Sequence, residues 1–405
     1  MKKSFHKDHT LIIDELETSI KIHNLDLIFG FLPKGSYLVG GYIRDIILGR
    51  KTEKLDVDIV VPLNAIEIGK KIADNIGSKF IILDKKREVA RIIFNHISID
   101  IANQGSSTIE GDLCSRDFSI NSIAFLYDKK CLFDPLNGLK DLEISLLRTH
   151  SEKNLLADPL RILRCFRFVS ELNFKIDPNL ITFIKKNRGK LYLSANERIN
   201  YEIQKIVHGA NALDAILLIK KLNIFGVDNL CEDSFFLDLE KINYSELNQE
   251  EKEKFLPSFF IAQILDIVSL EKLQFSKVEI AKTKLLRKWY FFLRNKSTAQ
   301  LDELDRFKLH QELEMFFPSF IFYLPQNLRF DWLNRWRDKE DKLFHPSNLL
   351  NGDVIKKNLK IEDGPFLGDL LQYLSKELAY KRLNNFDEAI YKATQWIEQN
   401  APKCD

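Results

Sequence analysis

The hydrophobic positions of this chain change their period about a third of the way along it. From about residue 35 to about residue 135 they form short runs in which apolar and polar side chains alternate, as in a β-strand. The runs are SYLVGG, LDVDIVV, KFIILD, VARIIF, HISIDIA and SIAFLY. Two segments with a helical period, near residues 43–48 and 64–76, lie between them. This region therefore predicts a β-sheet with interspersed helices.

Helical periodicity dominates the rest of the chain. Residues 1 to about 30 have apolar positions at helical spacing, and nearly every segment beyond about residue 140 is amphipathic in the same way. Strands followed by a long run of helices are typical of the α+β class. We expect an N-terminal helix over residues 1–30, a head over residues 31–140, a helical neck over residues 141–215, a helical body over residues 216–340 and a helical tail over residues 341–405.

Composition restricts the class of protein without deciding its function. With 405 residues, of which 45% are hydrophobic and 29% charged, the chain is long enough for several domains with a real core. No apolar run reaches the length of a membrane span, and charged residues stand where a signal peptide needs its apolar stretch. The five cysteines show no CxxC spacing, which is typical of thiols in a reducing compartment. We therefore expect a soluble, cytoplasmic protein with no membrane partner and no implied stable protein partner.

Two carboxylates in the run LDVDIVV are the first candidates for chemistry. Alternation places Asp56 and Asp58 on one face of the strand and the apolar residues on the other. Such neighbours repel each other unless a cation lies between them, and Mg²⁺ binds carboxylate oxygens together with substrate phosphates. In HISIDIA the same alternation places His96, Ser98 and Asp100 on one face. The sequence thus predicts a catalytic group of Asp56, Asp58 and Asp100, with Asp56 and Asp58 as metal ligands.

Residues suited to a nucleotide lie on both sides of this group. Gly40 and Gly41 come between a predicted strand and a helix start, where backbone N–H groups can approach a triphosphate. The stretch GDLCSRDFSINSIAF offers Arg116, Asp117 and Asn121. An arginine fork suits phosphate oxygens, and a carboxylate suits a ribose hydroxyl. These five residues are therefore candidate nucleotide-binding residues.

Five motifs occur in a fixed order along the chain. They are LVGGYIRD with DVD, then SRDFSINSIAF, DPLNGLKDL, DPLRILRCFRF and ANERINYEI. The set resembles the head-and-neck motifs of the class II tRNA nucleotidyltransferase and bacterial poly(A) polymerase family, which belongs to the DNA polymerase beta superfamily. The resemblance covers roughly residues 35–205 and is specific because all five motifs agree in order. It implies a DNA polymerase beta-like head, Mg²⁺ as the cofactor, CTP and ATP as substrates, and the 3′ end and acceptor arm of tRNA as the partner.

The resemblance also implies roles for four charged residues. Arg44 matches a triphosphate contact. Asp158 and Arg161 match the positions that choose CTP and ATP over UTP and GTP, since an acidic acceptor and an arginine donor can read the Watson–Crick edge of a base. Arg164 continues the basic face of the same helix and is also a candidate nucleotide-binding residue. The simpler alternative for Asp158 and Arg161 is a helix-capping aspartate that forms an ion pair three residues along.

Two departures from the family pattern bear on which nucleotides are added. Ala157 precedes Asp158, where many CCA-adding relatives carry a carboxylate. Only residues 103–111, NQGSSTIEG, separate the Asp100 strand from DLCSRDF, whereas full CCA-adding relatives usually have a longer flexible loop there. We therefore favour a CC-adding enzyme. The alternatives are an A-adding or full CCA-adding enzyme, a poly(A) polymerase and, more distantly, a non-catalytic RNA-binding protein.

The predicted tail has its own candidate RNA contact. Gly364, Pro365 and Gly368 form a turn that opens a helix, and the free N–H groups of a helix start can meet a phosphate. The turn also resembles the tail of bacterial members of the family, although a turn without a binding role would look the same. On this basis we expect residues 341–405 to bind tRNA.

Overall fold

The computed structural model of this protein describes residues 8–50, 55–226, 235–345 and 352–400. The chain forms two compact units, Met1–Ile224 and Phe225–Asp405. The first seven residues of the predicted N-terminal helix lie outside the described residues, as do Cys231 and Cys404.

The first unit alternates strands and helices and then becomes mainly helical. Its strands are β1 (Tyr37–Val39), β2 (Leu55–Val61), β3 (Lys79–Asp84), β4 (Val89–Phe94), β5 (Ile97–Asn103), β6 (Ala124–Leu126), β7 (Cys131–Phe133), β8 (Leu146–Leu147) and β9 (Lys175–Ile176). Its helices are α1 (His9–Ile22), α2 (Asp26–Phe29), α3 (Gly41–Ile47), α4 (Ala65–Ile76), α5 (Ile109–Ser115), α6 (Gly138–Glu143), α7 (Glu152–Ala157), α8 (Arg161–Leu172), α9 (Pro178–Asn187), α10 (Asn196–Val207) and α11 (Ala212–Lys221). All six predicted strands are confirmed. The sequence pattern misses the short strands β7, β8 and β9.

Within the described residues, seven strands form one mixed sheet in the order β3-β4-β5-β2-β1-β6-β7. The strand β2 runs antiparallel to β1 and parallel to β5. Val57 and Ile59 are buried, whereas Asp56 is exposed and Asp58 partly exposed. The two predicted faces of β2 are thus confirmed. Helix α4 packs on β3, β4 and β5, on the face opposite the two carboxylates.

One detail of the predicted strand pattern is wrong. His96 does not lie on β5 beside Ser98 and Asp100, because it occupies the turn between β4 and β5 with a φ of 68°. The alternation of polar and apolar residues in HISIDIA includes His96 by chance. A tight turn between two antiparallel strands does not interrupt the hydrophobic pattern, so the pattern cannot show where β5 begins.

The neck helix α8 connects the head to the helices that follow it. It packs on α10 and α11, and its Phe168 ring meets the Phe118 ring of the head edge to face at 5.5 Å. The helix begins at Arg161, whereas the sequence predicts Asp158 as the N-cap and Pro159 as the first helical residue. Asp158 instead accepts a hydrogen bond from the Leu160 N–H at 3.2 Å and caps the turn before the helix.

The second unit is helical throughout its described residues. Its helices are α12 (Gln249–Ile264), α13 (Ile267–Lys272), α14 (Lys277–Asn295), α15 (Glu303–Leu313), α16 (Phe317–Phe320), α17 (Gln326–Arg337), α18 (Gly352–Leu359), α19 (Pro365–Ala379) and α20 (Phe386–Asn400). Phe317, Trp332 and Phe344 surround the buried His310 in its aromatic core. Gly364 directly precedes α19, as predicted. In the described part of the chain, no helix has the length and apolarity that spanning a membrane requires.

Candidate active site

A cavity of about 960 Å³ in the first unit is lined by every residue that the sequence singles out for catalysis or nucleotide binding. These residues are Gly40, Gly41, Arg44, Asp56, Asp58, Asp100, Arg116, Asp117, Asn121, Asp158, Arg161 and Arg164. The strands β2 and β5, the start of α3 and the neck helices α8 and α10 contribute to its walls. The fold therefore brings motifs that are far apart in the sequence to one site.

The carboxylate group lies on neighbouring strands at the centre of the sheet. Asp58 of β2 is directly opposite Asp100 of β5, and Asp56 lies two residues earlier on β2. Burial raises the pKa of Asp58, and the nearby charges of Asp100 and Asp56 add to this, while Arg116 and Arg164 oppose it. Hard divalent cations prefer oxygen ligands of this kind. The donor set of Asp56 and Asp58 therefore fits such an ion.

Asp100 differs from the other two carboxylates because it already has a cationic partner. Arg91 on β4 holds it in a two-pronged ion pair, with Nε–Oδ1 and Nη2–Oδ2 distances of 2.7 and 2.9 Å. Across the described ranges, no group of three or more His, Cys, Asp or Glu side chains converges as a metal site. The arrangement is thus a pair of carboxylates, Asp56 and Asp58, with a third carboxylate neutralised beside them.

Gly40 allows the chain to turn sharply next to Asp58. Its φ of 76° is a conformation that favours glycine. A Cβ atom at this position would lie 3.2 Å from Asp58 Oδ2 and 3.2 Å from Arg116 Nη1. The Gly40 N–H donates to the Ile123 carbonyl at 3.3 Å, so backbone N–H groups that could meet a phosphate begin at Gly41.

A buried chain of hydrogen bonds joins α3, the turn after α5 and the neck. Arg44 donates to both carboxylate oxygens of Asp45 and, through Nη1, to Asn121 Oδ1 at 2.7 Å. Asn121 donates to Asp117 Oδ1 at 3.0 Å, and Arg164 donates from Nε to Asp117 Oδ2 at 2.7 Å. Burial favours the neutral form of Asp117, but Arg164, Asn121 and the Phe118 N–H outweigh it and lower the pKa of Asp117 to about 2.

Three guanidinium groups lie close to the Phe168 ring at the cavity. Those of Arg44, Arg164 and Arg167 lie 5.1, 5.7 and 4.9 Å from its centre. Arg167 also donates to the buried Glu202 of α10 at 3.1 Å. Cations over an aromatic face are stabilised by the ring, so Phe168 helps to hold positive charge at the site.

Arg116 connects the carboxylates to the short segment that follows β5. It donates to Asp112 Oδ2 from Nε and Nη2 at 3.4 and 3.2 Å. The other oxygen of Asp112 accepts the Gly105 N–H at 3.0 Å. The segment after β5 is therefore tied, through a single carboxylate, to an arginine that lies beside Asp58 and Gly40.

The two predicted base-reading residues have other partners in this structure. Asp158 Oδ2 accepts a hydrogen bond from Arg198 Nη2 at 2.7 Å. Arg161 Nη1 donates to the carbonyl oxygens of Ser115 and Asn154 at 3.1 and 3.0 Å. Asp158 and Arg161 do not form the ion pair of the simpler alternative, and their role in base recognition remains a prediction.

Comparison with known proteins agrees with this geometry. Residues 36–148 match the poly(A) polymerase head domain family. The CC-adding tRNA nucleotidyltransferase of Synechocystis is 29% identical over 90% of this chain and 94% of its own length. The chain therefore carries a poly(A) polymerase head domain and is similar over nearly its whole length to a tRNA nucleotidyltransferase. It is therefore a nucleotidyltransferase.

Further relatives match over shorter regions. A CC-adding tRNA nucleotidyltransferase of Geobacter sulfurreducens is 34% identical over 51% of this chain and 49% of its own length. An A-adding tRNA nucleotidyltransferase of Deinococcus radiodurans is 33% identical over 47% of this chain and 44% of its own length. The solved structure of the Thermotoga maritima CCA-adding enzyme complexed with tRNA shares the fold, with a TM-score of 0.70 and 22% identity over 96% of this chain and 99% of that one.

Sequence reasoning did not identify several residues of this nucleotidyltransferase site. Arg91 gives no signal in VARIIF, because only the strand register places it beside Asp100. Asp112 lies on α5, four residues before Arg116, a spacing at which side chains on a helix meet, but the sequence analysis predicts no helix there. Phe168 reads as an ordinary core residue, and Arg198 reads as part of a polar network that braces the neck.

Proposed function

We propose that this enzyme adds two CMP residues to the 3′ end of tRNA that lacks its CCA terminus. CC addition is the activity named for the relatives from Synechocystis and Geobacter sulfurreducens, whereas A addition is named for the relative from Deinococcus radiodurans. The observation on this chain that carries the proposal is the short connection between β5 and α5.

This connection, residues 104–108, is held by hydrogen bonds along its length. The Gln104 N–H donates to the Val61 carbonyl at 2.8 Å, and the Gly105 N–H donates to Asp112. Thr108 caps α5 by accepting the Gly111 N–H at 3.2 Å. A pocket that must change from accepting C to accepting A needs a mobile element to drive the change. A segment this short and this constrained supports a pocket that keeps one shape.

Asp56 and Asp58 would hold the divalent cation, for which Mg²⁺ is our proposal because the donors are carboxylate oxygens. When bound there, the ion would neutralise charge on the triphosphate and lower the pKa of the primer 3′-hydroxyl. Gly40 contributes by having no side chain, which leaves space next to Asp58 and Arg116. We propose that the Gly41 N–H and the guanidinium of Arg116 contact the triphosphate there.

The remaining predicted residues would bind the nucleoside. We propose that Asp117, Asn121 and Arg164 form a fixed wall, because Asn121 and Arg164 both donate to Asp117. Arg44 donates to Asn121, and we propose that it also contacts the triphosphate. Asp158 would accept from the exocyclic amine of cytosine while Arg161 donates to its ring acceptors, once both residues have exchanged their present partners for the base. In this way protein side chains would replace a nucleic-acid template.

Product analysis on defined RNA tests the proposal directly. Three forms of one tRNA are prepared, ending at the discriminator base, after the first C and after the second C. Each is incubated with Mg²⁺ and CTP, with ATP, or with both, and the products are sequenced. Asp58→Asn protein purified in parallel is the control for enzyme carried over from the expression host.

The expected result is addition of two C residues to the shortest tRNA, one C to the next, and little A to the form that ends in CC. Efficient completion of the CCA end would make the enzyme fully CCA-adding. Adenylation of the CC form alone would make it A-adding, and long A tails would make it a poly(A) polymerase. Each of these three results would contradict the CC-adding proposal.

A further inference from the structure

Three charged residues lie side by side on adjacent strands of the sheet. Arg91 on β4 is opposite Asp100 on β5, and Asp100 is opposite Asp58 on β2. We infer that Arg91 is a positioning residue that withholds Asp100 from the cation site, so that the free enzyme offers only Asp56 and Asp58 as ligands. This inference rests on the proposed function of those two aspartates.

The geometry of the ion pair commits both oxygens of Asp100. One accepts from Arg91 Nε at 2.7 Å and the other from Nη2 at 2.9 Å, which is the planar fork that arginine forms with a carboxylate. The guanidinium thus occupies the charge-neutralising place that a metal ion would otherwise take beside Asp100. Arg91 and Asp100 both line the cavity, so the pair stands next to the cation site and not behind the sheet.

The consequence concerns the order in which cation and nucleotide bind. A site with three free carboxylates attracts a divalent cation more strongly than a site with two, because affinity rises with the number of charged ligands. With Asp100 neutralised, the free enzyme holds the cation weakly, and the oxygens of a nucleotide triphosphate complete the ligand set. Arg91 therefore favours arrival of the cation together with the nucleotide.

Binding of Mn²⁺ in the absence of nucleotide tests this without relying on activity. The free ion is followed by electron paramagnetic resonance as protein is titrated. Arg91→Leu should bind Mn²⁺ about tenfold more tightly than wild type, since Asp100 becomes available as a ligand. Arg91→Lys keeps the positive charge but loses the fork, so its affinity should lie between the two. Arg87→Leu, on the same hairpin but without contact to Asp100, is the matched control and should leave Mn²⁺ affinity unchanged.

The double variant Arg91→Leu/Asp100→Asn tests whether the tighter binding of Arg91→Leu acts through Asp100. Its Mn²⁺ affinity should return to within about twofold of wild type, because neither arrangement offers Asp100 as a ligand. Asp100→Asn alone is less informative, since it leaves the charge of Arg91 unopposed beside the ion. Circular dichroism and the thermal midpoint establish that each variant is folded.

Three results would decide against the inference or its basis. Unchanged or weaker Mn²⁺ binding by folded Arg91→Leu would overturn it. Wild-type Mn²⁺ affinity in Arg91→Lys would show that the positive charge is responsible, and not the fork that occupies both oxygens of Asp100, and it would overturn the inference too. Asp58→Asn is the separate check: if it binds Mn²⁺ as wild type does, the proposed cation site itself is wrong.

Discussion

The ion pair between Asp117 and Arg164 allows a quantitative prediction about stability. Asp117 is almost fully buried, and its pKa is lowered from 3.8 to about 2. Each pKa unit corresponds to about 1.4 kcal/mol, so the ionised form contributes about 2 kcal/mol to stability at neutral pH. Because the pKa is lower in the folded state, this contribution is complete above about pH 4 and is lost as the pH falls from about 4 to about 2.

Replacing Arg164 with methionine leaves the Asp117 carboxylate buried without its cation. Breaking a buried pair in this way costs about 3–5 kcal/mol, and the lower end applies here because the Arg164 side chain is 31% exposed. We expect a loss of about 3 kcal/mol near pH 7. In the variant, burial raises the pKa of Asp117 above its ordinary value. The carboxylate then becomes protonated as the pH is lowered, so the deficit relative to wild type should shrink.

Urea unfolding followed by circular dichroism at about pH 7 and about pH 4.5 measures both effects. The matched control is Arg164→Met/Asp117→Asn, in which no buried charge remains and the deficit should be smaller and independent of pH over this range. A loss below about 1 kcal/mol in Arg164→Met, or a deficit that stays constant between the two pH values, would refute the assignment of Asp117 as a carboxylate held ionised by Arg164.

Three further predictions concern catalysis and the turn at the cavity. Asp58→Asn should lower the rate of nucleotide transfer by at least about a thousandfold, because a lost cation ligand removes several kcal/mol of transition-state stabilisation. The same variant should keep nearly wild-type affinity for tRNA in a filter-binding assay. Arg161→Ala should weaken the preference for CTP over UTP, measured as the ratio of kcat/KM values, more than it slows CMP transfer; an unchanged ratio would make Arg161 structural. Gly40→Ala should cost about 1–3 kcal/mol in urea unfolding and reduce transfer, because alanine is strained at a φ of 76° and its Cβ meets Asp58 and Arg116; wild-type activity would show that the turn tolerates a side chain.

The parts of the site that follow from local periodicity could be predicted from the sequence. Asp56 and Asp58 share a face because a strand alternates, and no tertiary information is needed for that step. The partner of Arg44 could not be predicted, since Asn121 is 77 residues away and meets it only after the sheet forms. Arg91 is hidden for the same reason: its neighbour depends on the register of β4 against β5. Period alone does not specify register.

The contacts divide the cavity into a fixed part and an exchangeable part. The Arg44–Asn121–Asp117–Arg164 chain is largely buried, so breaking any one link leaves an unpaired polar group and costs several kcal/mol.

The proposed base-reading residues are held less strongly. The Arg198 and Asp158 side chains are 54% and 30% exposed, and such an ion pair is worth about 0–1 kcal/mol. In the proposed function, a cytosine edge would therefore displace Arg198 from Asp158 at little cost, whereas the buried wall would keep its arrangement. Selection of the base would then depend on the hydrogen bonds that Asp158 and Arg161 make with it. The segment after β5 is tied through Asp112 to Arg116, and on the proposed function this tie would limit how far these two residues can be rearranged for a second kind of base.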